Sequence, residues 1–245
     1  MCCFSGQVEH VSGTKIFARP TEKGHQLLAY QMAFEASADV AMVLPLPVPH
    51  DSPDKALRFI DLSGYPEFFD ALHGMFPARR SKGPKMLSFG NDEPLPVVQV
   101  GSFEASFVPS LKAFSRLDER FRISDEAWKK LPQYADWGFA VFKLKKGNQQ
   151  VHPMAFEFPK RNAAQIFFPT VHIHDGQVHE TATFDHDLYA QPATGAFIHD
   201  VNWQESPDLA KTAVDETKAR GIVDPAAHVY FRRLGGAQKN ADTWL

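Results

Sequence analysis

Three prolines at alternate positions constrain this chain most. Pro45, Pro47 and Pro49 follow the apolar run Ala41-Met42-Val43-Leu44. Proline lacks an amide hydrogen and fixes φ, so a proline every second residue cannot sit inside a central strand. The segment is expected at a sheet edge or as an extended crossing. Just upstream, Leu28, Tyr30, Met32 and Phe34 alternate with Ala29, Gln31, Ala33 and Glu35, the period of a half-buried strand. Thr14–Arg19 reads as its partner strand, with the turn at Lys23 and Gly24.

The remaining elements read in blocks. Ser52 followed by Pro53 has the form of a helix N-cap, leading into Ala56, Leu57, Phe59 and Ile60. After Gly64, Pro66 opens a second helix that Pro77 ends. Residues 97–108 read as a strand with Gly101 as a bulge, and 110–131 as mixed helix. Four strands follow over 139–145, 154–158, 165–174 and 177–185, with turns at Lys146-Gly147-Asn148 and Asp175-Gly176. Ser206 and Pro207 open one late helix ending at Arg220-Gly221, and residues 235–245 read as a loose tail. The expectation is an α+β fold, mostly antiparallel sheet with a helical insert at 52–77 and one late helix, in a single domain over 1–245.

Composition excludes several classes. Lys and Arg number 26 against 29 Asp and Glu, so there is no basic excess for a dedicated nucleic-acid binder. No apolar run has the length of a membrane span. The start MCCFSGQVEH has neither the basic nor the apolar region of a signal peptide, so the expected location is cytoplasmic. The chain contains no Gly-rich phosphate loop, dinucleotide fingerprint, Gly-x-Ser-x-Gly elbow or His-Glu-x-x-His.

Two features carry chemistry. In Thr170–His179, the Asp175-Gly176 turn would set His172 opposite His179 and leave His172, His174 and His179 on one face with Thr170, Thr181 and Thr183. Val171, Ile173, Val178, Ala182 and Phe184 would take the other face. Three imidazoles can ligate a transition metal, with Asp185 or Glu157 as an oxygen ligand and Cys2 or Cys3 completing the set, which favours copper or zinc over magnesium or calcium. The same polar face of a hairpin can equally just meet water. His152, His186 and His199 have no spacing that requires them at the site.

The second feature is the cysteine start. Removal of Met1 would leave Cys2 with its thiol beside a free α-amine, whose pKa of about 7.7–8.0 suits it as a base. This resembles an N-terminal-nucleophile hydrolase, and the resemblance implies a role for Arg19 after the first hairpin. The acidic or amide residue that usually follows that arginine is replaced by Pro20 and Thr21.

Several stretches in order, AMVLPLPVP, VGSFEASFV, QYADWGFAVFKL and HPMAFEF leading into IFFPTV, resemble an uncharacterised bacterial family known only as a domain of unknown function. The resemblance spans roughly residues 3–175. It implies a shared fold and an important cysteine end, but no activity. Members are usually exported with a cysteine-rich start, whereas here Cys2 and Cys3 are adjacent and no signal peptide precedes them.

The leading expectation is therefore a cytoplasmic protein with a Cys/His metal site, acting on a small molecule or peptide, with no nucleic-acid or membrane partner. The alternatives are a Cys2 amidohydrolase and a non-catalytic binding or assembly protein that makes contact through the proline edge at 45–49. The basic loop of Arg79, Arg80, Lys82 and Lys85 reads as a solvated surface.

Overall fold

The computed structural model describes residues 3–76, 104–173, 177–193 and 195–245. Fourteen strands run through them: β1 Cys3–Phe4, β2 His10–Pro20, β3 His25–Ala36, β4 Val40–Leu46, β5 Arg58–Asp61, β6 Glu104–Val108, β7 Gly138–Leu144, β8 Gly147–Gln150, β9 Met154–Pro159, β10 Phe167–Phe168, β11 Thr181–Ala190, β12 Gln204–Leu209, β13 His228–Lys239 and β14 Thr243–Trp244. Three short α-helices interrupt them, α1 Phe68–Gly74, α2 Asp125–Lys129 and α3 Glu216–Ala219, of 7, 5 and 4 residues. The architecture is mainly β. This corrects the α+β expectation, because two of the helices read from sequence are strands.

The large sheet has the order β12-β13-β11-β2-β3-β9-β5, with β8 also paired to β3. Its pairs are antiparallel apart from β11 beside β2. A second sheet runs β1-β4-β7-β6, and β10 pairs with β14 as a two-stranded ribbon. Leu28, Tyr30, Met32 and Phe34 of β3 face a core shared with Met42, Leu44 and Leu46 of β4 and with Ala140, Phe142 and Leu144 of β7. Over Leu27 to Gln31 the opposite face of β3 is covered as well. Leu27 and Ala29 pack into a second core with Phe68, Phe69 and Leu72 of α1, and Ala41 and Val43 of β4 pack into a third with Phe114 and Trp128. Both sheets are thus covered on both faces, which explains the unbroken apolar run in β4.

The prolines sit where the ladder permits. Within β4, β1 pairs with Met42 and Val43, so among the described residues Pro45 has only β7 as its ladder partner. Beyond it, Arg161 seals the segment: its backbone N–H donates to the Pro47 carbonyl and its Nε to the Val48 carbonyl, both at 2.9 Å. Leu44 to Val48 are buried, so this edge is not an open contact surface. Gly138 is required here. A Cβ on it would lie 2.6 Å from Phe107 Cε2 and 2.9 Å from Val48 Cγ2.

Tertiary pairing overrides local helix signals in two places. Ser52 does not cap; its Oγ donates to the Pro49 carbonyl at 2.7 Å, and Phe59 and Ile60 pair with Phe156 and Ala155 in β9. Likewise Ser206 lies in β12. Its Oγ donates to the Asp208 carbonyl and accepts from the Val229 N–H. The late helix starts only after Asp215, which caps the Lys218 N–H at 3.0 Å. It stops at Arg220 and Gly221, both with positive φ (49° and 77°). Residues 235–245, expected loose, carry the end of β13 and all of β14.

Candidate functional site

Among the described residues the two arms expected to form the histidine hairpin do not pair with each other as strands. Asp175, Gly176 and His174 lie outside the described residues, but the segments flanking them take distant partners. Ile173 bridges Cys3, and β11 pairs with β13 over its full length and with β2. Asn240 clamps the chain here. Its Nδ2 donates to the carbonyls of His172 and His179, and its Oδ1 accepts the His172 N–H at 2.7 Å.

His172 is buried, with its ring 4.3 Å from Phe184 and stacked on His186 at 5.1 Å. Phe184, expected across the sheet from His172, is therefore its neighbour. His179 is exposed. Cys3 is buried in the apolar core beneath α2, and Cys2 lies outside the described residues. Among the described residues no group of three or more His, Cys, Asp or Glu side chains can hold a metal ion. Among the described residues His172, His179 and Cys3 therefore do not come together as the Cys/His site expected to favour copper or zinc.

Burial decides the chemistry of this region. The His186 ring accepts the Asp185 N–H at Nδ1 (3.3 Å), and burial pushes its pKa down to about 3, so it is a neutral core histidine. Just before His172 in the chain, Thr170 and Val171 donate their N–H groups to Asp242, at 2.9 and 3.2 Å. Asp242 also accepts the hydroxyl of Tyr134 at 2.5 Å. Burial raises the Asp242 carboxyl to about 6 against the pull of these donors, and burial with the nearby carboxylate pushes the Tyr134 phenol up. These groups fasten residues 170–173 to residues 240–245.

Arg19 is better placed for recognition. It lies near the end of β2 and lines a polar cleft of about 660 Å³ with Lys23, Arg58, Glu157, Gly221 and Asp224 among its walls. The cleft exists because the β2–β3 turn closes tightly. Thr21 N–H donates to the His25 carbonyl at 2.8 Å, and Gly24 takes the positive φ of 74° that this turn needs. Arg19 donates from Nε to the Ile222 carbonyl and from Nη2 to the Gly221 carbonyl, each at 3.0 Å. Burial lowers its pKa, while Asp224 and Glu157 oppose that shift.

Across the cleft, Arg58 and Glu157 are directly opposite residues of β5 and β9. Arg58 grips Glu157 Oε2 through Nε and Nη2 at 2.9 and 2.6 Å, and His25 Nδ1 lies 3.0 Å from Oε1. Burial alone would raise Glu157, but Arg58 and His25 outweigh it and hold the carboxyl below its ordinary value. Cys3 lies in the other sheet and does not line the cleft, so Arg19 has no described thiol to serve. The sequence alone points to Arg19 but gives Arg58 and His25 no role. The signal for both was the register that sets them beside Glu157.

No family model matches the chain. Among solved structures, baculovirus P35 superposes over 100% of this chain and 99% of its own, with 16% identity and a TM-score of 0.52. A mutated baculovirus P35 after caspase cleavage covers 96% and 97% at 16% identity and 0.49. P35 in the caspase-8/P35 complex covers 96% and 95% at 16% identity and 0.47. At such identities the first likeness speaks for the fold alone. That fold is a mainly β one.

Proposed function

We propose that this chain is a non-catalytic protein whose work is to bind another protein, and that its partner is a caspase. The observation that carries this reading is the end-to-end likeness to baculovirus P35, which leaves neither chain with a substantial unmatched part. P35 is a protein seen in complex with caspase-8. The burial of Cys3 and of His172 agrees with a structural role for both. The proline segment expected to make the contact is sealed by Arg161, so the binding surface lies elsewhere.

The test is direct. Purified full chain is mixed with caspase-8 and with a panel of other caspases, and each mixture is followed by size-exclusion chromatography and intact mass. The expected result is a co-eluting complex with at least one caspase, with any cleavage of the chain visible as a mass change. No complex with any member of the panel would end the reading.

A further inference from the structure

The cleft beside Arg19 holds opposite charges that are kept from meeting. Its walls carry Arg19, Lys23 and Arg58 against Glu22, Glu157 and Asp224. Arg58 and Glu157 answer each other. Among the described residues no ion pair joins Arg19, Lys23, Glu22 or Asp224 to an opposite charge. Arg19 and Asp224 are nevertheless close enough to interact, because Asp224 works against the loss of charge that burial imposes on Arg19.

Backbone bonds hold the two apart. Arg19 gives its Nε–H to the Ile222 carbonyl and one Nη2–H to the Gly221 carbonyl. A guanidinium has five N–H donors, and Nη1 has no hydrogen-bond partner among the described residues. The Nη1–Nη2 edge is the fork that receives a carboxylate with two parallel bonds. Asp224 is fixed separately. Its Oδ1 accepts the Ala226 N–H at 2.9 Å. Its backbone N–H donates to Oε1 of the fully buried Gln191, whose Nε2 donates back to the Asp224 carbonyl, both at 2.8 Å. The turn between them is strained, since Arg220 adopts a positive φ of 49° without being glycine. Such a conformation persists only where its surroundings enforce it, and it clusters at functional sites.

Opposite charges on separate rigid supports leave a gap with a dipole across it. A simple anion entering this cleft would meet Asp224 and Glu22 as well as Arg19, and a simple cation would meet the reverse. A ligand that carries both charges meets each with its opposite. The volume of about 660 Å³ lies in the range of small-molecule sites, and Pro20, Leu27, Pro192 and Ala193 supply an apolar wall for a side chain.

We infer that this cleft binds a zwitterionic amino acid or short peptide, with its carboxylate on the Nη1–Nη2 edge of Arg19 and its ammonium on Asp224. The inference does not depend on a caspase partner.

Saturation-transfer NMR on the full chain tests it, with leucine and leucyl-leucine as probes that separate the two sources. At least one of these zwitterions is expected to bind. The amide of that probe, which lacks the carboxylate, and its N-acetyl derivative, which lacks the ammonium, are each expected to bind about tenfold more weakly. Arg19→Lys keeps the charge but loses the fork, and Asp224→Asn keeps an acceptor for Ala226 but loses the charge. Each is expected to weaken the parent probe about tenfold. Thermal unfolding checks that both variants fold, and the two derivatives against the wild-type chain carry the test if they do not. Binding of neither zwitterion would overturn the inference. An N-acetyl derivative that binds as well as its parent, or inorganic phosphate that displaces the parent at equal concentration, would overturn it in favour of an anion site. Undiminished binding to two folded variants would overturn it by placing the ligand elsewhere.

Discussion

Replacing His186 by Phe should make the protein resistant to acid in a way that can be worked out from the structure. The His186 side chain is completely buried, and its pKa falls from 6.5 to about 3 on burial. A histidine depressed in the folded state contributes fully above its unfolded pKa and loses that contribution as pH falls toward the folded value. At about pH 4.5 the unfolded chain has taken up the proton and the folded one has not, which removes about 3 kcal/mol at 1.36 kcal/mol per unit. Asp242 works in the opposite sense. Its carboxyl is raised from 3.8 to about 6, so the folded state binds the proton more tightly and gains stability as pH falls through that value. Between pH 6 and 4.5 this returns about 2 kcal/mol, so the two groups partly offset each other in the wild-type curve. Phe keeps a ring against Phe184 and His172 and removes the titration. Equilibrium urea unfolding at about pH 7.5, 6 and 4.5 should show the stability of His186→Phe relative to wild type rising by about 3 kcal/mol from the first pH to the last. A difference that stays constant across that range would refute the claim that this histidine is folded neutral.

Two further substitutions probe the framework and the cleft. Gly138→Ala would press a methyl group against Phe107 and Val48, whose atoms lie 2.6 and 2.9 Å from that position. It should destabilise the fold by about 1–3 kcal/mol, read as a lower urea midpoint. Arg19→Met keeps the buried stem but strips the donors from the Gly221 and Ile222 carbonyls. It should cost about 1–3 kcal/mol and speed amide exchange over 219–224 selectively, whereas uniform acceleration would argue against a local tie.

The parts of this fold that could be read from sequence are those whose cause is local or periodic. Leu28, Tyr30, Met32 and Phe34 announce a core face because sheet side chains alternate, and they do face the core between the sheets. The second burial of β3 was also written in the chain, in Leu27 and Ala29, but small apolar residues on the outer face mark a covered sheet only once something is known to cover it. Pro45 constrained β4 correctly because a missing donor is a property of the residue itself, and β1 indeed stops short of it.

The failures share one cause. Ser52-Pro53 and Ser206-Pro207 carry the same helix-start signal, and at both sites a later strand takes the neighbouring residues: the distant β9 for Arg58–Asp61 and the next strand, β13, for Gln204–Leu209. A serine before a proline marks a change of direction, but the conformation beyond it belongs to whichever partner offers a ladder. The arms of the expected histidine hairpin are likewise taken by other partners. Asp175-Gly176 suits a two-residue turn, yet the flanking segments are claimed by Cys3, Asn240 and β13, partners about 60 to 170 residues distant in sequence that leave no local trace. The cleft shows the limit most sharply. Arg19 can be seen in the sequence, but its partners are the backbone carbonyls of Gly221 and Ile222, and a carbonyl belongs to every residue. Only the left-handed pair Arg220-Gly221, which turns those carbonyls toward β2, distinguishes them, and its arginine half gives no sequence warning of a positive φ.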